Sequence, residues 1–183
     1  MTSDSDNPNK IADADPTFYA LVGNIASDWS TLEYLVNDCI WASAKLDEQL
    51  GACITAQIFS LTSRLEALRL LLRARGASDK IQKDLNQFIL DARIPTELRN
   101  RAVHDPIGVK DDDGTVQQLQ ITARGKLIFE RRTVKLTQLA ADLARINDFV
   151  NRFMILREQM KTELASLQYT PTPLFPRISR GIR

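Results

Sequence analysis

Residues 136–167 read LTQLAADLARINDFVNRFMILREQMKTELASL and form the most regular stretch of the chain. Apolar side chains recur there at spacings of three and four, at Leu136, Leu139, Leu143, Ile146, Val150, Phe153, Met160, Leu164 and Leu167. This spacing predicts one long amphipathic helix whose apolar stripe is buried against other elements. Arg157 alone interrupts the rhythm.

Three helical segments are predicted ahead of this helix. The first begins at Asp15-Pro16, where an acceptor side chain precedes a proline that needs no amide donor. Its apolar face consists of Phe18, Val22, Ile25, Trp29, Leu32, Val36 and Cys39. The second ends near Gly76 and carries Ile54, Ile58, Leu61, Leu65, Leu68 and Leu72. The third follows a capping Ser78, breaks or kinks near Ile94 because of Pro95, and restarts over residues 98–104.

A different pattern separates the third and last segments. Leu119 and Ile121, then Leu127 and Phe129, alternate with polar residues, which predicts a β-hairpin at about residues 115–134. The fold class is therefore all-α, a four-helix bundle with a small hairpin inserted before the last long helix. We expect a disordered acidic tail over residues 1–15, a helical domain over residues 16–168 and a tail rich in proline and arginine over residues 169–183.

Composition argues against several classes of protein. The formal net charge is +1, so no large field favours tight non-specific nucleic-acid binding. No apolar run approaches the roughly 20 residues of a membrane span, and the start of the chain lacks the pattern of a secretion signal. Cytoplasmic residence and no membrane association are expected. Cys39 and Cys53 are predicted to be buried thiols in a reducing compartment. Two cysteines and one histidine make no metal cluster, so neither a metal nor another cofactor is expected.

The one group of residues that suggests chemistry is Arg99, Asn100, Arg101 and His104. His104 is the only histidine, and an imidazole suits the role of general base near neutral pH. Arginine matches phosphate oxygens, and a side-chain amide can orient the imidazole. This set favours attack of a ribose 2′-hydroxyl on the adjacent phosphorus. Five positions place Arg99 about 140° round a helix from His104, so their convergence needs long reach, local distortion or a second copy of the chain.

Structural roles for the same residues stay open at this point. Arg99 and Arg101 can be solvated helix charges paired with Glu97 or Asp105, and His104 can complement the carbonyl end of its helix. Trp29 and Trp41 are expected to be core or interface anchors.

The pattern Arg99-Asn100-Arg101-Ala102-Val103-His104, near the end of the third helical segment, resembles the signature of the HEPN superfamily. That signature is an arginine, usually followed by a polar residue, and a histidine after four to six intervening positions; here there are four. The long first helix with Trp29 and Glu33, the hairpin and the last helix extend the resemblance over roughly residues 16–167.

The resemblance implies a homodimer with the two motifs facing each other in a cleft, and a metal-independent endoribonuclease of the kind found among toxins and defence proteins. It implies catalytic roles for Arg99 and His104, with Asn100 supporting them, and we add Arg101 as a substrate-binding residue. RNA and an antitoxin or regulatory protein are the candidate partners. The alternative is a non-catalytic helical interaction or regulatory module, which the neutral charge and the acidic loop at residues 111–113 favour.

Overall fold

A computed structural model describes residues 16–106, 116–122 and 127–167. Within these ranges the chain forms six helices and one antiparallel pair of strands: α1 (Pro16–Ala44), α2 (Glu48–Thr55), α3 (Leu61–Ala74), α4 (Asp79–Asp91), α5 (Arg93–His104), β1 (Val116–Thr122), β2 (Ile128–Val134) and α6 (Leu136–Ser166). The predictions for both tails and for the acidic loop fall outside the described residues.

The coarse prediction is confirmed, because the chain is mainly helical with one small hairpin directly before the last helix. The described ranges hold six helices where four were predicted, since two of the predicted segments are divided. In the described part of the chain, no helix combines the length and the apolar character that crossing a bilayer would require.

The core lies where α1 and α6 pack along one another, with α3, α4 and α5 around them. The predicted stripe of α1 is buried at six of its seven positions, namely Phe18, Ile25, Trp29, Leu32, Val36 and Cys39. On α6, Phe149 and Phe153 meet Phe88 of α4 with ring centroids 4.1 and 5.2 Å apart. These aromatic contacts fix α4 against the last helix.

Arg157 interrupts the apolar rhythm of α6 because it forms an ion pair between helices. Its Nη2 lies 2.7 Å from a carboxylate oxygen of Asp38 on α1, and Lys161 of α6 lies 3.1 Å from the same oxygen. Burial by itself raises the pKa of Asp38, but hydrogen bonds from the two basic groups outweigh it and leave that pKa below its ordinary value.

The predicted second helix is wrong in one respect, because Ile54 and Ile58 do not extend it. Ile54 belongs to the separate short helix α2, Ile58 lies between the helices, and α3 begins at Leu61. Two local caps explain the division. Asp47 accepts hydrogen bonds from the amides of Gln49 and Leu50, and Ser60 accepts one from Ser63.

The break at Pro95 is confirmed, although it falls slightly earlier than predicted. Helix α4 ends at Asp91 and α5 begins at Arg93, so Pro95 stands in the first turn of α5. Proline is tolerated there because the first-turn amides have no partner within the helix. The restart places the predicted residues 98–104 in the last two turns of α5.

The hairpin is confirmed, with Leu119 opposite Arg131 in its register. The Leu119 amide donates to the carbonyl of Pro106 at 2.9 Å, which ties β1 to the end of α5. The buried face of β1 carries Val116, Gln118 and Gln120. In contrast, Phe129 is 68% exposed, so the hairpin packs mostly polar side chains against the helices.

The prediction for the cysteines is confirmed at one position and wrong at the other. Cys39 is buried in the core, whereas Cys53 is exposed on α2, and both are free thiols. An eight-residue helix at the edge of the core buries only Gly51 and Thr55, so its other positions remain accessible.

Candidate functional site

The last two turns of α5 bring three of the predicted site residues into contact. Nη1 of Arg99 lies 2.9 Å from Nε2 of His104 and 3.0 Å from Oδ1 of Asn100. Asn100 and His104 are exposed, and Arg99 is half-buried. The three polar groups therefore form one cluster at the surface.

The reach of the arginine side chain accounts for this convergence. The angle of about 140° between the two positions would separate short side chains. The guanidinium at the end of its long stem nevertheless contacts the imidazole directly, within one chain. Of the three routes that the sequence left open, long reach is the one found.

Trp29 of α1 also contacts the guanidinium of Arg99. The guanidinium carbon of Arg99 lies 5.9 Å from the centroid of the Trp29 ring, and Trp29 itself is 2% exposed. A cation over an indole face contributes about 0.5–2 kcal/mol, more as water is excluded. Trp29 thus does more than fill the core, because it restricts where the guanidinium can lie.

The described residues do not use all the hydrogen-bond donors of Arg99. Its Nε is buried and makes no hydrogen bond with the described residues, and no described carboxylate forms an ion pair with it. Its positive charge is therefore not neutralised by the part of the chain that the structure describes. Such a guanidinium is suited to an anionic ligand that approaches from solvent.

The contact with Arg99 also defines the hydrogen-bonding role of Nε2. A guanidinium has donors and no acceptor, so in this hydrogen bond Arg99 donates and Nε2 of His104 accepts. An imidazole nitrogen that accepts a hydrogen bond uses a lone pair, and the same lone pair is what a general base requires.

Arg101 does not join this cluster. Its guanidinium pairs with Glu97 one turn earlier and donates to Oε1 of Gln120 on β1 at 3.4 Å. The side chain is therefore directed toward the hairpin. Pairing with Glu97 is the structural role considered for this arginine, whereas Arg99 makes no such pair among the described residues.

Two acidic residues near the motif behave differently from each other. Glu33 pairs with Arg64 of α3 at 3.7 Å and not with an arginine of the motif. Asp105 directly follows His104, and its burial raises its pKa although Arg101, His104 and Arg132 act in the opposite direction.

Residues 16–106, 116–122 and 127–167 contain no group of three or more His, Cys, Asp or Glu side chains arranged to hold a metal ion. A comparison with protein-family models, with curated proteins and with solved structures found no match to this chain. The function of this protein is therefore inferred from the geometry of the Arg99 cluster and from the resemblance of its sequence.

Proposed function

We propose that this protein is a HEPN-like, metal-independent endoribonuclease that acts in the cytoplasm as a toxin or defence component. The observation that carries the proposal is the 2.9 Å contact between Nη1 of Arg99 and Nε2 of His104 at the exposed end of α5. A phosphate-binding cation and a general base thus lie within reach of one phosphodiester group. The packing of α1 against α6, with α3, α4 and α5 around them, supports a HEPN-like four-helix bundle in which α4 and α5 together form one broken helix and α2 is an addition.

In the proposed reaction, an RNA phosphate first takes hydrogen bonds from Arg99 and draws its guanidinium away from Nε2. His104 then removes the proton from the ribose 2′-hydroxyl through the freed lone pair. The 2′-oxygen forms a bond to phosphorus as the bond to the 5′-oxygen breaks, and water protonates that leaving oxygen. Arg99 stabilises the charge on the phosphoryl oxygens, and Asn100 limits the positions of the guanidinium. The products are a 2′,3′-cyclic phosphate and a free 5′-hydroxyl.

We further propose that two chains form a homodimer with both clusters facing one groove, as the resemblance implies. Light scattering coupled to gel filtration tests this directly. A particle of twice the chain mass of 20.6 kDa is expected. A monomer at all accessible concentrations would contradict the dimer without affecting the single-chain geometry.

Analysis of the RNA products in EDTA tests the activity. Wild type is expected to leave cyclic phosphate and 5′-hydroxyl ends, and His104→Ala is expected to leave the RNA intact. Cleavage by both proteins alike, or by neither, would remove the catalytic proposal. Products with 5′-phosphate ends would contradict the role of the 2′-hydroxyl.

A non-catalytic interaction module is the second candidate, and exposed apolar side chains favour it. Phe59 is 89% exposed, and Leu127 and Phe129 of the hairpin are 73% and 68% exposed. Large apolar groups of this kind contribute strongly to protein interfaces. Under this proposal the chain binds an antitoxin or regulatory protein. Phe129→Ser then weakens partner binding, whereas His104→Ala has no nuclease phenotype.

A further inference from the structure

A second polar site lies on the hairpin side of α5. There α5, both strands and the start of α6 enclose a cavity of about 220 Å³. Its apolar lining comes from Leu98, Ala102, Val134 and Leu139, and polar side chains complete the wall. Sites for drug-sized ligands typically measure about 300–1,000 Å³, so this cavity suits a single small ring system.

Two glutamines of β1 give the cavity its hydrogen-bonding character. Gln118 and Gln120 are 7% and 9% exposed, which is unusual for uncharged amides. With the described residues, each amide makes one long hydrogen bond of 3.4 Å, from Gln118 Nε2 to the Arg101 carbonyl and from Arg101 to Gln120 Oε1. Among the described residues, none donates a hydrogen bond to the oxygen of Gln118 or accepts one from the nitrogen of Gln120, which are one acceptor and one donor.

The charges around the cavity are close to balance. Arg101 is paired with Glu97, and Arg145 lies 3.9 Å from Asp142. Arg132 acts electrostatically on Asp105. Since each arginine has a carboxylate near it, the cavity offers little net attraction for a phosphate. An uncharged ligand that presents donors and acceptors at its edge, and an apolar face to the lining, fits this balance better.

The cavity and the proposed catalytic cluster share the end of helix α5, although Arg99, Asn100 and His104 do not line the cavity. Asp105, which lines it, follows His104 in sequence, and Arg101 lies one helical turn before His104. An RNA strand whose phosphodiester is held by Arg99 would pass round the end of α5 to place a neighbouring base on this side. Proteins that read single-stranded RNA commonly bind splayed bases by their edges and stack arginine guanidinium groups on them.

We propose that this cavity binds one unpaired nucleobase of RNA, with Gln118 and Gln120 contacting its edge and Arg132 covering its face. The inference rests on the proposed function, because it assigns a base preference to the same nuclease. It places Arg101, predicted from the sequence as a substrate-binding residue, in the wall of the base site.

Nucleoside binding tests the site without any need for cleavage. Adenosine, guanosine, cytidine and uridine are titrated separately into the full chain and followed by amide chemical shifts in NMR spectra, with inorganic phosphate as a further probe. At least one nucleoside is expected to bind and to shift residues of β1, β2 and the end of α5. Arg132→Ala and Gln120→Leu are each expected to weaken its affinity by about tenfold, the first because the guanidinium no longer stacks on the base and the second because one or two hydrogen bonds to its edge are lost.

Matched variants on the same strands serve as controls. Arg131→Ala makes the same change at the position next to Arg132, and Gln117→Leu makes the same change at a glutamine three positions before Gln120 on β1. Neither residue lines the cavity, and both variants are expected to leave the affinity unchanged. Because Arg132 is exposed, its replacement is not expected to impair folding even if Gln120→Leu does. His104→Ala is expected to bind the nucleoside like wild type.

The possible results separate the two proposals. A loss of nucleoside affinity in Arg132→Ala but not in Arg131→Ala supports the base site, whether or not RNA is cleaved. Absence of nucleoside binding, equal loss in the control variants, or binding of phosphate at the same residues with equal affinity would overturn it. If RNA is cleaved in EDTA while no nucleoside binds, the nuclease proposal stands and the base site falls.

Discussion

Gly51 of α2 is the position where one added methyl group has the most clearly defined consequence. A Cβ built there would lie 2.4 Å from both Cγ and Cδ1 of Trp41, and 2.8 Å from its Nε1. The indole cannot easily retreat, because it is 9% exposed and donates to Oγ1 of Thr55 at 3.2 Å. Thr55 in turn donates to the carbonyl of Gly51 at 3.0 Å.

Two opposing terms determine the effect of Gly51→Ala. Helix propensity alone favours alanine by about 1 kcal/mol. Restoring an ordinary contact of 3.4 Å requires the ring or α2 to move by 1.0 Å. Such overpacking costs about 1–3 kcal/mol, and loss of the Trp41 hydrogen bond adds about 1 kcal/mol. We therefore expect a net loss of about 2 kcal/mol, which lowers the Tm by roughly 4–8 °C for a domain of this size.

Denaturant and thermal unfolding, followed by tryptophan fluorescence and circular dichroism, measure this loss. Gly23→Ala is the matched control, because Gly23 is exposed on α1 and a Cβ there would meet nothing within 4 Å. That variant is expected to gain up to about 1 kcal/mol from helix propensity. Equal or greater stability in Gly51→Ala than in wild type would refute the packing described between α2 and Trp41.

Three further predictions concern thiols, an ion pair and the core. Cys53 is expected to react with a maleimide in the native protein, whereas Cys39 is expected to react only on unfolding. Burial makes Cys39 inaccessible and raises its pKa to about 12, so it holds little reactive thiolate. Mass spectrometry identifies which cysteine is labelled. Asp38→Asn is expected to cost about 1 kcal/mol at neutral pH by removing the partner of Arg157. The pKa of Asp38 is lower in the folded protein than in the unfolded chain. Its contribution to stability is therefore fully present at pH values above the unfolded pKa and is lost as the pH falls through the folded pKa. In acid, the free energies of unfolding of wild type and Asp38→Asn should converge. Phe153→Ala should cost about 3–5 kcal/mol in denaturant unfolding, since its side chain is fully buried.

The long helices could be predicted because their burial follows directly from spacing. Apolar residues at intervals of three and four lie on one face of a helix, and in α1 and α6 this face is buried. Ile54 and Ile58 continue the same rhythm and were misleading. The hydrogen bonds of the Asp47 and Ser60 caps decided those boundaries, and periodicity contains no information about them.

The hairpin shows a different limit. Alternation predicted two strands, and two strands are present at the expected place. Alternation did not reveal which face of the hairpin is buried. Gln118 and Gln120 are buried, whereas Phe129 is exposed. The tie between Leu119 and Pro106 and the position of α5 set this orientation, and both depend on tertiary structure.

The sequence identified the residues of the candidate site but not the residues that position them. The spacing of Arg99 and His104 left their contact undecided, because it depends on how far a flexible side chain extends. Trp29 lies far from Arg99 in sequence, and its place on an apolar stripe indicated only burial. The direction of Arg101 was equally inaccessible, since Gln120 comes from a strand beyond the motif.

The most direct test of whether the contacting guanidinium and imidazole perform chemistry is a rate of RNA cleavage in EDTA. This rate is measured for Arg99→Ala and compared with the rates of wild type and of Arg93→Ala. Arg93 is an exposed arginine of the same helix, so its variant controls for loss of one positive charge. We predict cleavage by wild type and Arg93→Ala at similar rates, with a loss of at least about a hundredfold in Arg99→Ala. Equal rates in all three proteins would contradict the assignment of this cluster as a ribonuclease site.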